Sequence, residues 1–130
     1  MVIYRTMERH ILWIIIGSAL AALAVAIGAF GAHGLKSRVS ADDLIIFETG
    51  ARYQMYHSLA LILLGLIGVN FQSNVVQLPA ILFLVGIIIF SGTLYLIPLT
   101  GLRWLGAITP IGGTALILGW IMLIFNLIRS

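Results

Sequence analysis

The chain has 130 residues, 62% hydrophobic and 8% charged, with a mean hydropathy of +1.17 and a formal net charge of +3. Soluble domains carry roughly a quarter of their residues charged, so this composition excludes one and indicates a single membrane domain over 1–130. The seven Lys and Arg residues are scattered at the ends of apolar blocks, as interface anchors and not a nucleic-acid patch, and the absence of cysteine excludes disulfide and thiol chemistry.

Four apolar blocks follow one another, near 11–32, 50–69, 75–98 and 105–128. Each approaches the ~20 residues that a helix needs to cross a ~30 Å hydrocarbon core, and a helix satisfies its own backbone in lipid. The expected fold is all-α: an integral membrane four-helix bundle, up-down-up-down, multi-pass in the cell (inner) membrane. Arg5, Arg9 and Arg129 fall on one side and Lys36, Arg38, Arg52 and Arg103 on the other, a balance that sets no orientation.

In the first block, Ala24-Val25-Ala26 has the small-x-small form of a cleavage site. The apolar run over 11–30 nevertheless exceeds the ~7–15 residues of a signal-peptide core, so it is expected to stay as the first span. Gly17, Ala21, Ala24, Gly28 and Ala32 form one small-residue stripe, and Ser18, Ala22, Ala26 and Ala29 a second. Two stripes predict a central helix touching two neighbours. Gly34 is placed as a left-handed cap.

Ser40-Ala41-Asp42-Asp43 reads as a capping box, so a helix starts near Ala41. Nothing stops it before Val69, which makes it too long for the bilayer and gives it an interfacial N-terminal extension. Counting back ~20 residues from the polar turn at 70–74 puts the near boundary at Gly50, with His57 roughly 10 Å inside. Glu48 and Arg52 are spaced as an i,i+4 pair. Thr49, Tyr53 and His57, bordered by Gly50, Gln54 and Gly68, lie opposite Leu44, Leu59, Ile62 and Leu66, so the polar side is expected to face the bundle.

A short turn makes the second and third spans an antiparallel hairpin. Pro110 deprives the Gly106 carbonyl of a partner and predicts a kink in the fourth span. Trp104 and Trp120, like Trp13 and Tyr95, are candidates for interfacial belts, although Trp120 lies far from either end. Antiparallel order then gathers His33, Thr49, Tyr53, Gln54, His57, Ser91, Tyr95 and Thr109 in one half of the bilayer, with Arg52 at its edge. The opposite half reads as almost wholly aliphatic.

Four segments stand out: Gly28-Ala29-Phe30-Gly31-Ala32-His33-Gly34-Leu35, Tyr53-Gln54-Met55-Tyr56-His57, Phe90-Ser91-Gly92-Thr93-Leu94-Tyr95, and Gly106-Ala107-Ile108-Thr109-Pro110-Ile111-Gly112-Gly113, the last followed by Gly119-Trp120. In this order and spacing the chain resembles the YgdD/YwdK family of small membrane proteins, a domain-of-unknown-function family, over nearly its whole length. The resemblance implies a four-span membrane protein and no particular activity.

An ionisable group inside a membrane is a functional candidate by default. The candidate cluster is His33, Arg52, Tyr53, Gln54, His57, Ser91, Tyr95 and Thr109. The plain alternative is packing, with His57 neutral and bonded to Tyr95 or Thr109. The functional reading is a non-enzymatic accessory component that binds lipid or a partner, with membrane lipids, a homo-oligomer or a larger membrane complex as partners. The alternative is a small transporter, channel or proton relay through His33 and His57. Haem or metal binding lacks a third or fourth ligand beyond Glu48, and no Ser-His-carboxylate set or phosphate-cradling loop is present, so no cofactor and no catalytic residue are expected.

Overall fold

A computed structural model describes residues 2–71 and 75–130. These residues form four long helices and no strand. Helix α1, Val2–Phe30, runs into a wider π-helical turn, Gly31–Leu35. Helix α2 is Ala41–Asn70. Helix α3, Gln77–Thr100, is interrupted by a π-helical segment at Ile87–Ser91. A short 3-10 turn, Arg103–Ala107, leads into α4, Thr109–Arg129. Three of these segments are long and apolar enough to cross a membrane: Met7–Leu35, Gln77–Thr100 and Arg103–Arg129. With 30 residues α2 has the length, but Arg52, Gln54, His57 and Ser58 lower the apolarity of its middle.

The tightest packing joins α1 to α2, and it follows from a spacing of seven. His10, Gly17, Ala24 and Gly31 are buried on one line of α1; Phe47, Gln54, Leu61 and Gly68, with Ala51, Ser58 and Gly65, are buried on α2. A repeat of seven keeps two helices in register along a left-handed supercoil. The small residues let the backbones touch. A Cβ on Gly17 would lie 2.7 Å from the Ser58 carbonyl oxygen, and one on Gly65 would lie 2.7 Å from that of His10. In lipid such close approach is the source of attraction, because dispersion replaces the hydrophobic effect.

The order of packing corrects the expectation of a central first helix. Helix α1 packs mainly on α2, α2 packs on both α1 and α3, and α4 packs on α3. In the first small stripe of α1 Gly17 and Ala24 are buried, Ala21 and Gly28 half-buried and Ala32 exposed; in the second, Ser18, Ala22, Ala26 and Ala29 are all exposed. The central helix is α2, because it carries the polar side chains that must be enclosed. A core of Leu61, Leu64, Ala80, Phe83 and Ile87 joins α2 to α3, and Leu116 of α4 covers it.

Several local expectations change. Gly34 lies within the π-helical turn, and the left-handed glycine is Gly101, at φ 74°, between α3 and the 3-10 turn. Pro110 falls in the first turn of α4, where a missing N–H has no helical partner to lose, so it starts the helix and does not kink it. Part of the polar turn at 70–74 lies outside the described residues. Ser40 caps α2 by accepting from the Asp43 N–H at 3.1 Å. The Asp43 carboxylate does not reach back to complete the box; it takes two bonds from Arg103, at 2.6 and 2.8 Å, clamping the start of α2 to the approach of α4. The expected Glu48 and Arg52 pair does not form among the described residues.

A glycine whose Cβ would strike backbone should resist enlargement. Gly65→Leu is expected to cost about 1–3 kcal/mol by overpacking, whereas Gly92→Ala, which meets nothing within 4 Å, should be neutral or stabilising. Denaturant titration followed by circular dichroism in detergent compares the two. Hydrogen bonding from Arg103 holds the Asp43 carboxyl below its usual range. A depressed carboxylate pKa adds stability above the unfolded value that is lost as pH falls through the folded one. Acid titration should therefore loosen the α2–α4 clamp only below about pH 4, and Asp43→Asn should remove that transition.

Candidate functional site

The polar residues of α2 recur at three- and four-residue intervals, which sets Gly50, Gln54, His57 and Ser58 on its enclosed side. Gln54 is 3% exposed and bonds to two other helices. Its Nε2 donates to the Leu20 carbonyl of α1 at 2.8 Å, and its Oε1 accepts from the Tyr95 hydroxyl of α3 at 2.6 Å. Gly50, one turn earlier, leaves room for this reach, since a Cβ there would stand 2.8 Å from the Tyr95 ring. The Gly50 carbonyl accepts from Ser91 at 2.7 Å, and the Gln54 carbonyl accepts from Ser58 at 2.5 Å. The π-helical segment ending at Ser91 adds a residue to the turn and so sets the facing of Ser91, Thr93 and Tyr95.

His57 is 5% exposed and forms a separate lock. The Trp120 indole N–H of α4 donates to its Nε2 at 3.0 Å, and its Nδ1 lies 2.8 Å from the Tyr53 carbonyl. An indole nitrogen can only donate, so Nε2 is the acceptor and the ring proton sits on Nδ1, donated to Tyr53. Both nitrogens are thereby used by the neutral ring. Phe83 and Trp120 enclose it, with ring centroids at 5.3 and 5.8 Å. Thr93 and Thr109 share a hydroxyl bond of 2.7 Å between α3 and α4.

The eight expected residues do not form one cluster. Gln54 and Tyr95 are directly bonded, Ser91 lies one turn away, His57 pairs with Trp120, and Thr109 pairs with Thr93. His57 bonds neither Tyr95 nor Thr109. His33 and Arg52 are exposed, and Tyr53 is 40% exposed with its ring against Phe90 and His57. Ser58, Thr93 and Trp120 are not among the eight expected residues; the serine lies on the seven-residue repeat Ala51, Ser58, Gly65, whereas the partner of Trp120 is set by the packing of α4.

The opposite half is not aliphatic. Trp13, 7% exposed, donates to Gln77 at 3.1 Å, and Asn126 donates to the Val75 carbonyl at 2.9 Å. Trp13 and Tyr95 are thus internal donors, while Trp104, 61% exposed, keeps the exposure of a belt residue. His10 is 3% exposed, packs its ring on Gly68 and bonds through neither ring nitrogen among the described residues. Among the described residues no group of three or more His, Asp or Glu side chains could hold a metal ion.

Comparison with known proteins agrees with this picture of a membrane protein. Residues 27–113 match a family described as "Protein of unknown function (DUF423)". The chain is similar to the UPF0382 membrane protein YwdK of Bacillus subtilis, 40% identical over 118 residues that cover 90% of this chain and 96% of that one. It is also similar to the UPF0382 membrane protein SSP2132 of Staphylococcus saprophyticus, 47% identical over 88% of this chain and 94% of the relative. The UPF0382 membrane protein SAB0533 of Staphylococcus aureus is 50% identical over 87% and 92%. No solved structure matches.

Two substitutions examine the bonds. With labelled histidine, 15N NMR should report a Nδ1-protonated neutral tautomer for His57, and Trp120→Phe should shift the Nε2 resonance; a Nε2-protonated ring would contradict the assignment. Tyr95→Phe strands the Gln54 acceptor and should lower stability by about 1 kcal/mol, between the membrane average for such bonds and the cost of an unpaired buried acceptor.

Proposed function

The chain belongs to the DUF423 family, with relatives named as UPF0382 membrane proteins, and from that premise we propose that it is a non-enzymatic component of the cell membrane that binds lipid or a membrane partner. In this reading α2 is the fourth crossing, antiparallel to its neighbours. Its 30 residues rise about 45 Å against a ~30 Å core, so its first turns lie at the interface. Its polar middle can enter lipid because that side is enclosed by the other helices.

One observation carries the proposal: the buried side chains Gln54, His57, Ser58 and Ser91 are all bonded within the protein. These four groups, satisfied in this way, hold helices together and are not free to act on a substrate. Recognition then falls to the outer surface, where Arg52 and Tyr53 remain exposed. A relay through His33 and His57 has no support, since His33 is exposed and His57 has both nitrogens engaged.

Purification of the full chain in a mild detergent should recover stoichiometric lipid or a second protein. Recovery of neither would overturn the proposal. Ion or proton flux into proteoliposomes should equal that of empty vesicles, and a flux abolished by His57→Ala would favour transport instead.

A further inference from the structure

We propose that the outer face of α2 is a binding surface for a zwitterionic aminophospholipid, with Arg52 on the phosphate and Glu48 on the ammonium; the inference rests on the lipid-binding reading above. The first ground is a stripe. Arg52, Tyr56, Leu59, Leu63 and Leu66 lie at steps of three and four residues, so they share one side of the helix. All five are exposed, the tyrosine by 52% and the leucines by 49, 56 and 50%. The stripe is polar at its outer end and aliphatic below, the division found in a phospholipid itself. From Arg52 to Leu63 the helix rises about 16 Å, close to half of a ~30 Å hydrocarbon core.

The second ground is charge. Glu48 stands four residues before Arg52, the spacing at which a helical ion pair forms, yet no such pair is made among the described residues. A carboxylate and a guanidinium side by side and unjoined match a headgroup that carries both a phosphate and an ammonium. The guanidinium offers a forked pair of donors to phosphate oxygens. Glu48, nearer the helix start, accepts from the outer ammonium. An anionic headgroup without an ammonium would satisfy Arg52 alone and leave Glu48 with no cationic partner.

The third ground is rigidity, and it gives the buried lock a purpose. Tyr53 and Tyr56 stand edge to face, 5.7 Å between centroids, beside Arg52. Tyr53 is backed by Phe90 at 5.1 Å and by the His57 ring, and its carbonyl is held by His57 Nδ1. His57 and Trp120 are positioning residues in this arrangement: they fix the segment that carries the surface site.

Native mass spectrometry of the full chain, released from nanodiscs of equimolar phosphatidylethanolamine, phosphatidylglycerol and phosphatidylcholine, tests the proposal. Phosphatidylethanolamine should be retained in several-fold excess over both others. Arg52→Gln should bring retention of all three to a common low level, and Glu48→Gln should abolish the preference over phosphatidylglycerol while retaining bound lipid. Both positions are outside the core, so unchanged circular dichroism melts establish that the variants fold. Retention unchanged in the Glu48→Gln/Arg52→Gln double variant would overturn this site and leave lipid binding standing. Preference for phosphatidylglycerol in the unaltered chain would overturn the headgroup assignment. Absence of any retained lipid would overturn this inference together with its premise.

Discussion

Gln54 is the point at which three helices meet through one side chain. Its amide nitrogen takes a carbonyl of α1 and its amide oxygen a hydroxyl of α3, while its own backbone carbonyl accepts from Ser58. In a low-dielectric interior an amide left unpaired costs more than its bonds contribute when made, so a buried Gln specifies a single arrangement of partners. The same demand applies to every enclosed polar group of α2. It explains why α2 occupies the middle of the fold, and why Tyr95 and Ser91 arrive on α3 opposite glycine and glutamine.

The seam between α1 and α2 makes that arrangement reachable. Leu20 offers its carbonyl to Gln54 because the two backbones run close together, and they run close because Gly17 and Gly65 carry no side chain where the chains touch. Larger residues at these positions would part the helices and move the carbonyl away from the amide. Packing and polar pairing are therefore one constraint on this side of α2. On the other side the π-helical segment of α3 plays the matching role, setting the facing of the residues that answer Gly50 and Gln54.

Two polar layers result, one in each half of the bundle. The first holds the Gln54, His57 and threonine contacts, the second Trp13 with Gln77 and Asn126 with Val75. Their division of labour follows from composition. The first layer borders a surface with free charge and aromatic side chains, whereas the second is bounded by the ends of the helices and contains a histidine with no bonded partner among the described residues. On α2 the buried side chains Gln54, His57 and Ser58 are bonded within the protein, while Arg52, Tyr53 and Tyr56 are exposed.

Length and apolarity by themselves determined that this chain is helical and belongs in a membrane, because lipid admits few other ways to satisfy a backbone. The Ser40 cap, the start of α2 near Ala41 and its antiparallel return were legible for the same reason: capping and hydrophobic length are local properties. Tertiary structure alone decided which stripe of α1 is buried, that α2 is central, and that His57 meets Trp120 and not Tyr95. Spacing along one helix places a residue on a face, but a hydrogen bond joins two helices whose relative rotation depends on every contact between them. The polar stretch from Glu48 to His57 was visible as an anomaly from the residues alone. Only the packed bundle divided it into an enclosed side, with Gln54 and His57 bonded to other helices, and an outer side where Arg52 and Tyr53 stay exposed.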